Sequence, residues 1–150
     1  MTYGEKAEQL FLEGYNCAQA VFLAFSDLTK LPEDTAAKLS SSFGGGMGRM
    51  REVCGALSGA FMVLGVLYGY DSPLAKEEKA NHYARIQQVA GWFRDKYGTI
   101  LCRELLTDPA TLPVPEDRTP AYYQDRPCLR IVREAADLTA RYIAEQSAAQ

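Results

Sequence analysis

Histidine is almost absent: His82 is the only one in a chain of 150 residues. That excludes a metal site built from several imidazoles. With no nucleophile-elbow motif, no Ser-His-Asp arrangement can be argued either. No two cysteines have the C-x-x-C spacing, so the thioredoxin, zinc-ribbon and c-type haem signatures are missing. There is no Lys/Arg-rich run, and the formal net charge is −3, so the electrostatic footprint of a nucleic-acid binder is lacking. The opening Met1-Thr2-Tyr3-Gly4-Glu5-Lys6 places no basic segment before an apolar stretch; no signal peptide is read, and a cytoplasmic setting is expected. Repeats, low-complexity tracts and alternating β-branched runs bounded by hairpin turns are also missing.

The longest apolar run is too short to span a bilayer. Val53 to Tyr68 reads VCGALSGAFMVLGVLY, against the ~20 residues a spanning helix needs. Arg49, Arg51 and Glu52 precede it and Asp71 follows, so it reads as a buried central helix and no membrane partner is expected.

What is present is an apolar fraction of 47 %, enough for a globular core. A single domain of this length buries roughly two-thirds of its unfolded surface, and folds without needing disulfides or a metal. Helical spacing dominates. Helices are predicted over Tyr3–Glu13, over Cys17 to about Leu28 after an Asn16 cap, and from Pro32 to the serines before Gly44. Others follow over about Arg51–Tyr68, over Ala75–Tyr97 with Tyr83, Ile86, Val89, Ala90 and Phe93 inward, over Ile100–Leu106 after Thr99, and from Cys128 to about Glu145. The proline-rich stretch Thr107–Asp125 reads as an extended loop. The fold class is all-α: a compact single-domain helical bundle around a buried central helix.

The cysteines are Cys17, Cys54, Cys102 and Cys128, and all four fall at or near a helix start. Free N–H groups and the positive end of the helix dipole there favour thiolate over thiol. Arg49 and Arg51 lie close in sequence to Cys54, which makes it the expected most activated thiol; Arg103, Arg126 and Arg130 flank Cys102 and Cys128. The competing reading is that these are small buried hydrophobes. The run Gly44-Gly45-Gly46-Met47-Gly48 is incompatible with helix interior. With Arg49 it offers either a nest of amides for an anion or cofactor, or a tight connection between packed helices.

The stretches Phe43–Arg49 and Glu52-Val53-Cys54-Gly55-Ala56-Leu57-Ser58-Gly59-Ala60 resemble a known family. With Asn16-Cys17-Ala18-Gln19-Ala20, Leu101-Cys102-Arg103-Glu104-Leu105 and Cys128, they make the chain similar to the small redox proteins named for a CGAxxG motif and four cysteines, C_GCAxxG_C_C. The resemblance implies a redox role centred on Cys17, Cys54, Cys102 and Cys128, and names no substrate. A related helical domain occurs in split-Soret cytochromes, but with no C-x-x-C-H here covalent haem is not carried over. The leading expectation is thiol–disulfide exchange or electron transfer through clustered cysteines with a redox partner. The alternatives are an iron–sulfur cluster or zinc held by the four thiolates, or a non-catalytic helical interaction module. A homo-oligomer stays open.

Overall fold

The computed structural model describes residues 1–149. Among them nine helices follow one another: α1 (Tyr3–Leu12), α2 (Cys17–Ala24), α3 (Ser26–Thr29), α4 (Glu33–Ser41), α5 (Gly55–Tyr68), α6 (Lys76–Tyr97), α7 (Cys102–Leu105), α8 (Pro120–Asp125) and α9 (Cys128–Ala148). The fold is all-α, and the one strand-like feature among the described residues is an isolated antiparallel bridge between Val53 and Leu101. None of the helices is long and apolar enough to cross a membrane.

Local chemistry explains most boundaries. Asn16 caps α2 through a reciprocal box: its side chain accepts from the Gln19 N–H while the Gln19 side chain accepts from the Asn16 N–H. The predicted Cys17–Leu28 helix is interrupted at Phe25, which leaves helical geometry (φ −102°, ψ 20°) and stacks its ring on Tyr3 at 4.3 Å. Helix α6 stops at Gly98, in the left-handed region at φ 77°. The expected loop Thr107–Asp125 is corrected at its end, where α8 forms. Thr119 accepts from the Tyr122 N–H and Pro120 occupies the first turn, where a missing N–H costs nothing.

Helices α2, α5 and α9 touch one another at the centre. Helix α1 lies on α2 and α9, α4 on α2, and α6 on α5 and α9. The first half of α5 is buried from Gly55 to Ala60, with Val63 and Leu64 behind it, whereas Val66 near its end is 44 % exposed. Glycine permits the closest contact: a Cβ at Gly59 would stand 2.6 Å from the Ala18 carbonyl oxygen, and one at Gly55 would overlap Cys17 Sγ. The CGAxxG motif is thus first a packing device that seats α5 against the start of α2. On α6 the inward stripe is His82, Ile86, Val89, Ala90 and Phe93; Tyr83, expected inside, is exposed.

Candidate functional site

Each cysteine sits at a helix start. Cys17, Cys102 and Cys128 are the first residues of α2, α7 and α9, and Cys54 is the N-cap of α5. All four are free thiols and all four line one cavity of about 70 Å3. Cys54 and Cys102 are buried, Cys17 and Cys128 half-buried.

Two local devices bring them together across the sequence. The Val53–Leu101 bridge ties the segments that carry Cys54 and Cys102: the Cys54 N–H donates to the Ile100 carbonyl at 2.8 Å and the Cys102 N–H to the Glu52 carbonyl at 2.7 Å. The second device is the glycine-rich segment, which coils through the left-handed region at Gly45, Gly46, Met47, Gly48, Arg49 and Arg51. Its turns close with bonds such as Arg51 N–H to Gly45 carbonyl, 3.2 Å, and Glu52 N–H to Gly46 carbonyl, 2.9 Å. Glycine is needed at 46, where a Cβ would stand 2.7 Å from Cys102 Cβ and from the Glu52 amide nitrogen. Met47, Arg49 and Arg51 hold the same left-handed backbone without that licence, a strain of the kind that gathers at functional sites.

The electrostatics separate the thiols. Burial pushes the Cys54 thiol well above its ordinary value, with the Cys17 and Cys102 sulfurs adding to the rise. The Leu57 and Ala56 N–H groups at the α5 N-terminus act in the opposite sense without overcoming burial or forming a regular cap bond. Cys17 is also raised by burial, offset in part by the N–H groups of Gly45, Ala18 and Cys17 itself. Cys128 is pushed up to about 12, again mainly by burial. The expectation that Arg49 and Arg51 act on Cys54 is corrected. Arg51 turns instead to Cys102, with Nη1 donating to Sγ at 3.6 Å and Nε to the Ala110 carbonyl at 2.8 Å. Arg51 is only 4 % exposed and makes no ion pair among the described residues. Arg49 reaches the 110–116 loop, bonding the Val114 carbonyl and Glu116. Arg103 pairs with Glu52 at 3.3 Å, and Arg130 is exposed.

Gly44, Gly45, Gly48 and Arg49 line an open cleft beside the cysteine cavity, whereas Gly46 is packed under Cys102. The cavity tests the metal reading as well. Among the described residues no three His, Cys, Asp or Glu side chains are grouped closely enough to hold an ion. Four thiolates about 2.3 Å from one zinc are therefore not preformed among the described residues. Among the cavity residues that the sequence does not announce are Arg118, Tyr122 and Arg126. Arg118 donates to the Phe11 and Tyr15 carbonyls, both at 3.0 Å, and lies 4.4 Å over the Phe11 ring, fastening the proline-rich loop across the site. No local motif announces such a contact, because its partners lie about a hundred residues upstream. His82 faces Arg85 (Nδ1 to Nη1, 3.0 Å), is not in the cavity lining, and is held below its ordinary value by burial and that guanidinium.

No curated protein and no solved structure matches the chain. The family model described as "Putative redox-active protein (C_GCAxxG_C_C)" matches residues 15–142, a span that contains all four cysteines, the glycine run and the arginines around them, and the chain belongs to that family.

Proposed function

We propose that the protein carries out thiol–disulfide exchange, with Cys102 as the thiol that meets the substrate and Cys17 as the thiol that resolves it. The observation that carries this is the buried Arg51, which has no carboxylate partner among the described residues and places its guanidinium on the Cys102 sulfur inside a cavity lined by three more thiols. A cation there stabilises negative charge on sulfur, whether on an attacking or a departing thiolate. Cys17 is the natural second thiol. It shares the cavity wall with Cys102, and the N–H groups of Gly45, Ala18 and Cys17 itself face its sulfur. The Cys102 sulfur attacks a substrate disulfide, and Cys17 then displaces the bound half to close Cys17–Cys102.

Reaction of the reduced protein with a neutral disulfide, followed by peptide mapping under acid quench, tests this. A Cys17–Cys102 bridge is expected, and Cys17→Ser should accumulate a mixed disulfide on Cys102. Native thiols that stay inert while the urea-unfolded chain reacts would overturn the reading in favour of buried, non-catalytic cysteines.

A further inference from the structure

The open cleft beside the cysteine cavity has a volume of about 430 Å3. The two share Arg51, Arg118, Arg126, Tyr122, Asn16 and Gly45 in their walls, so the cavity is the floor of the cleft. The charges of that cleft are one-sided: Arg49, Arg51, Arg118 and Arg126 face it, against the carboxylate of Glu116 alone among the described residues. Glu116 is shared by Arg49 and Arg126. Arg51 and Arg118 have no acidic partner among the described residues, and spend their N–H groups on carbonyls, the Tyr123 hydroxyl and the Cys102 sulfur. Arg49 Nε is buried with no hydrogen-bond partner among the described residues. Four guanidiniums in one cleft run against the character of a chain whose net charge is −3.

These guanidiniums are held before any ligand arrives. Arg118 is stacked 4.4 Å over Phe11 and 5.0 Å over Tyr122, and Arg126 lies 4.7 Å over the other partner of that stack, Tyr122. Arg51 is clamped between Ala110 and Cys102. Donors fixed in this way lose little freedom on binding an anion. Size divides the work between the two spaces. A cavity of about 70 Å3 has room for only a few water-sized groups, such as a sulfur and its methylene. The cleft has the volume of a small-molecule site.

We propose that the cleft binds the body of a small disulfide bearing carboxylates and presents one of its sulfurs to Cys102; this rests on the exchange reading above. The Cys102 thiolate forms a bond to the near sulfur as the substrate S–S bond breaks, and the far half leaves as a thiolate beside the arginines. The Cys17 thiolate then bonds to Cys102 Sγ and releases the second half. The substrate disulfide gains two electrons and becomes two thiols, and the two protein thiols lose two electrons and become one disulfide. The two protons they give up go to the released thiolates.

The test compares three disulfides on the reduced full chain: anionic glutathione disulfide, neutral hydroxyethyl disulfide and cationic cystamine, each rate divided by its rate with a free small thiol. The anionic one should be favoured over the cationic one by about tenfold or more at low salt, the range electrostatic focusing supplies. That preference should collapse in high salt and in the Arg49→Gln/Arg126→Gln variant, whose fold is checked by its melting curve. A second arm uses S-methylglutathione, which cannot exchange, with binding measured by calorimetry. Exchange without charge preference, together with no binding of S-methylglutathione, overturns the cleft proposal and leaves the exchange reading standing. Binding of S-methylglutathione with no exchange from any disulfide overturns the exchange reading and supports anion recognition by the cleft. Failure of both arms overturns both.

Discussion

The two walls of the cysteine cavity solve opposite problems. Cys17 and Cys54 sit where α2 and α5 approach so closely that Gly55 and Gly59 tolerate no Cβ. Cys102 and Cys128 sit beneath a polar wall carrying Arg51 and Arg126. All four occupy helix starts, yet the amides at the start of α5 do not prevent burial from raising Cys54. A helix N-terminus supplies an effect typically worth only 0.3–1 kcal/mol, roughly, and removal of a charge from water costs more than that. What distinguishes Cys102 is a guanidinium hydrogen-bonded to its sulfur, not its place in a helix; on Cys128 the charges of Arg126 and Arg51 do not overcome burial.

The largest effects should come from breaking the close-packed wall of α2 and α5. Gly59→Leu forces a side chain into the Ala18 carbonyl and the Val21 side chain. It should destabilise the protein by about 3 kcal/mol, the upper part of the overpacking range, as read by urea unfolding. A variant as stable as wild type would mean that α5 and α2 are free to separate. Breaking the charged wall should act on rate instead. Arg51→Met keeps an unbranched, flexible side chain but is shorter and removes the guanidinium from Cys102. Its exchange with a neutral disulfide should fall by about tenfold to a hundredfold, as expected when a charge-assisted hydrogen bond of roughly 1.5–3 kcal/mol is lost. Its stability should fall by only about 1 kcal/mol, the net worth of the lost bond to the exposed Ala110 carbonyl. A larger loss of stability with an unchanged rate would assign Arg51 to scaffolding.

The close-packed wall was legible in the sequence, and the charged wall was not. Gly55 and Gly59 four residues apart in an apolar helix announce close packing, and Asn16 with Gln19 announces the start of α2. These signals are local, and local signals place helices. Neighbourhood in sequence led Arg49 and Arg51 to be assigned to Cys54, whereas the left-handed coil at residues 45–51 turns Arg51 to Cys102 and Arg49 to the 110–116 loop. Arg118 and Tyr122 reach the site only because a loop that reads as featureless crosses back over α1. Helix periodicity failed in one small way, at Tyr83, because an aromatic residue was given the inward position that His82 takes.

Smaller in effect, but sharper between the walls, is the order of labelling. Under a limiting amount of iodoacetamide at neutral pH, the native protein should be modified first at Cys102 and last at Cys54. Both are buried, 8 % and 7 % exposed, so exposure alone predicts no difference between them. The guanidinium on Cys102 and the strong upward push on Cys54 predict a large one. Equal labelling, or Cys54 first, would restore the sequence-based choice of Cys54 as the activated thiol. Peptide mapping by mass spectrometry reads the order directly.

The smallest expected effect is on stability at alkaline pH, and it belongs to Cys128. Its folded thiol is raised from 9.0 to about 12. Between those values the unfolded chain has lost the proton that the native chain still holds, so the native state binds more protons and stability falls as pH rises. The contribution is fully present below about pH 9 and is gone above the folded value. One pKa unit corresponds to about 1.4 kcal/mol. Over the first unit above pH 9, where the unfolded thiol is only partly ionised, Cys128 should therefore account for roughly 1 kcal/mol of lost stability. Cys128→Ser removes that titration, so its urea-unfolding free energy should decline less steeply than that of wild type between pH 9 and pH 10. Parallel pH profiles for the two proteins would show that Cys128 ionises in the fold as easily as in the unfolded chain. The polar wall would then be wetter than its packing against Tyr122 and Arg126 implies.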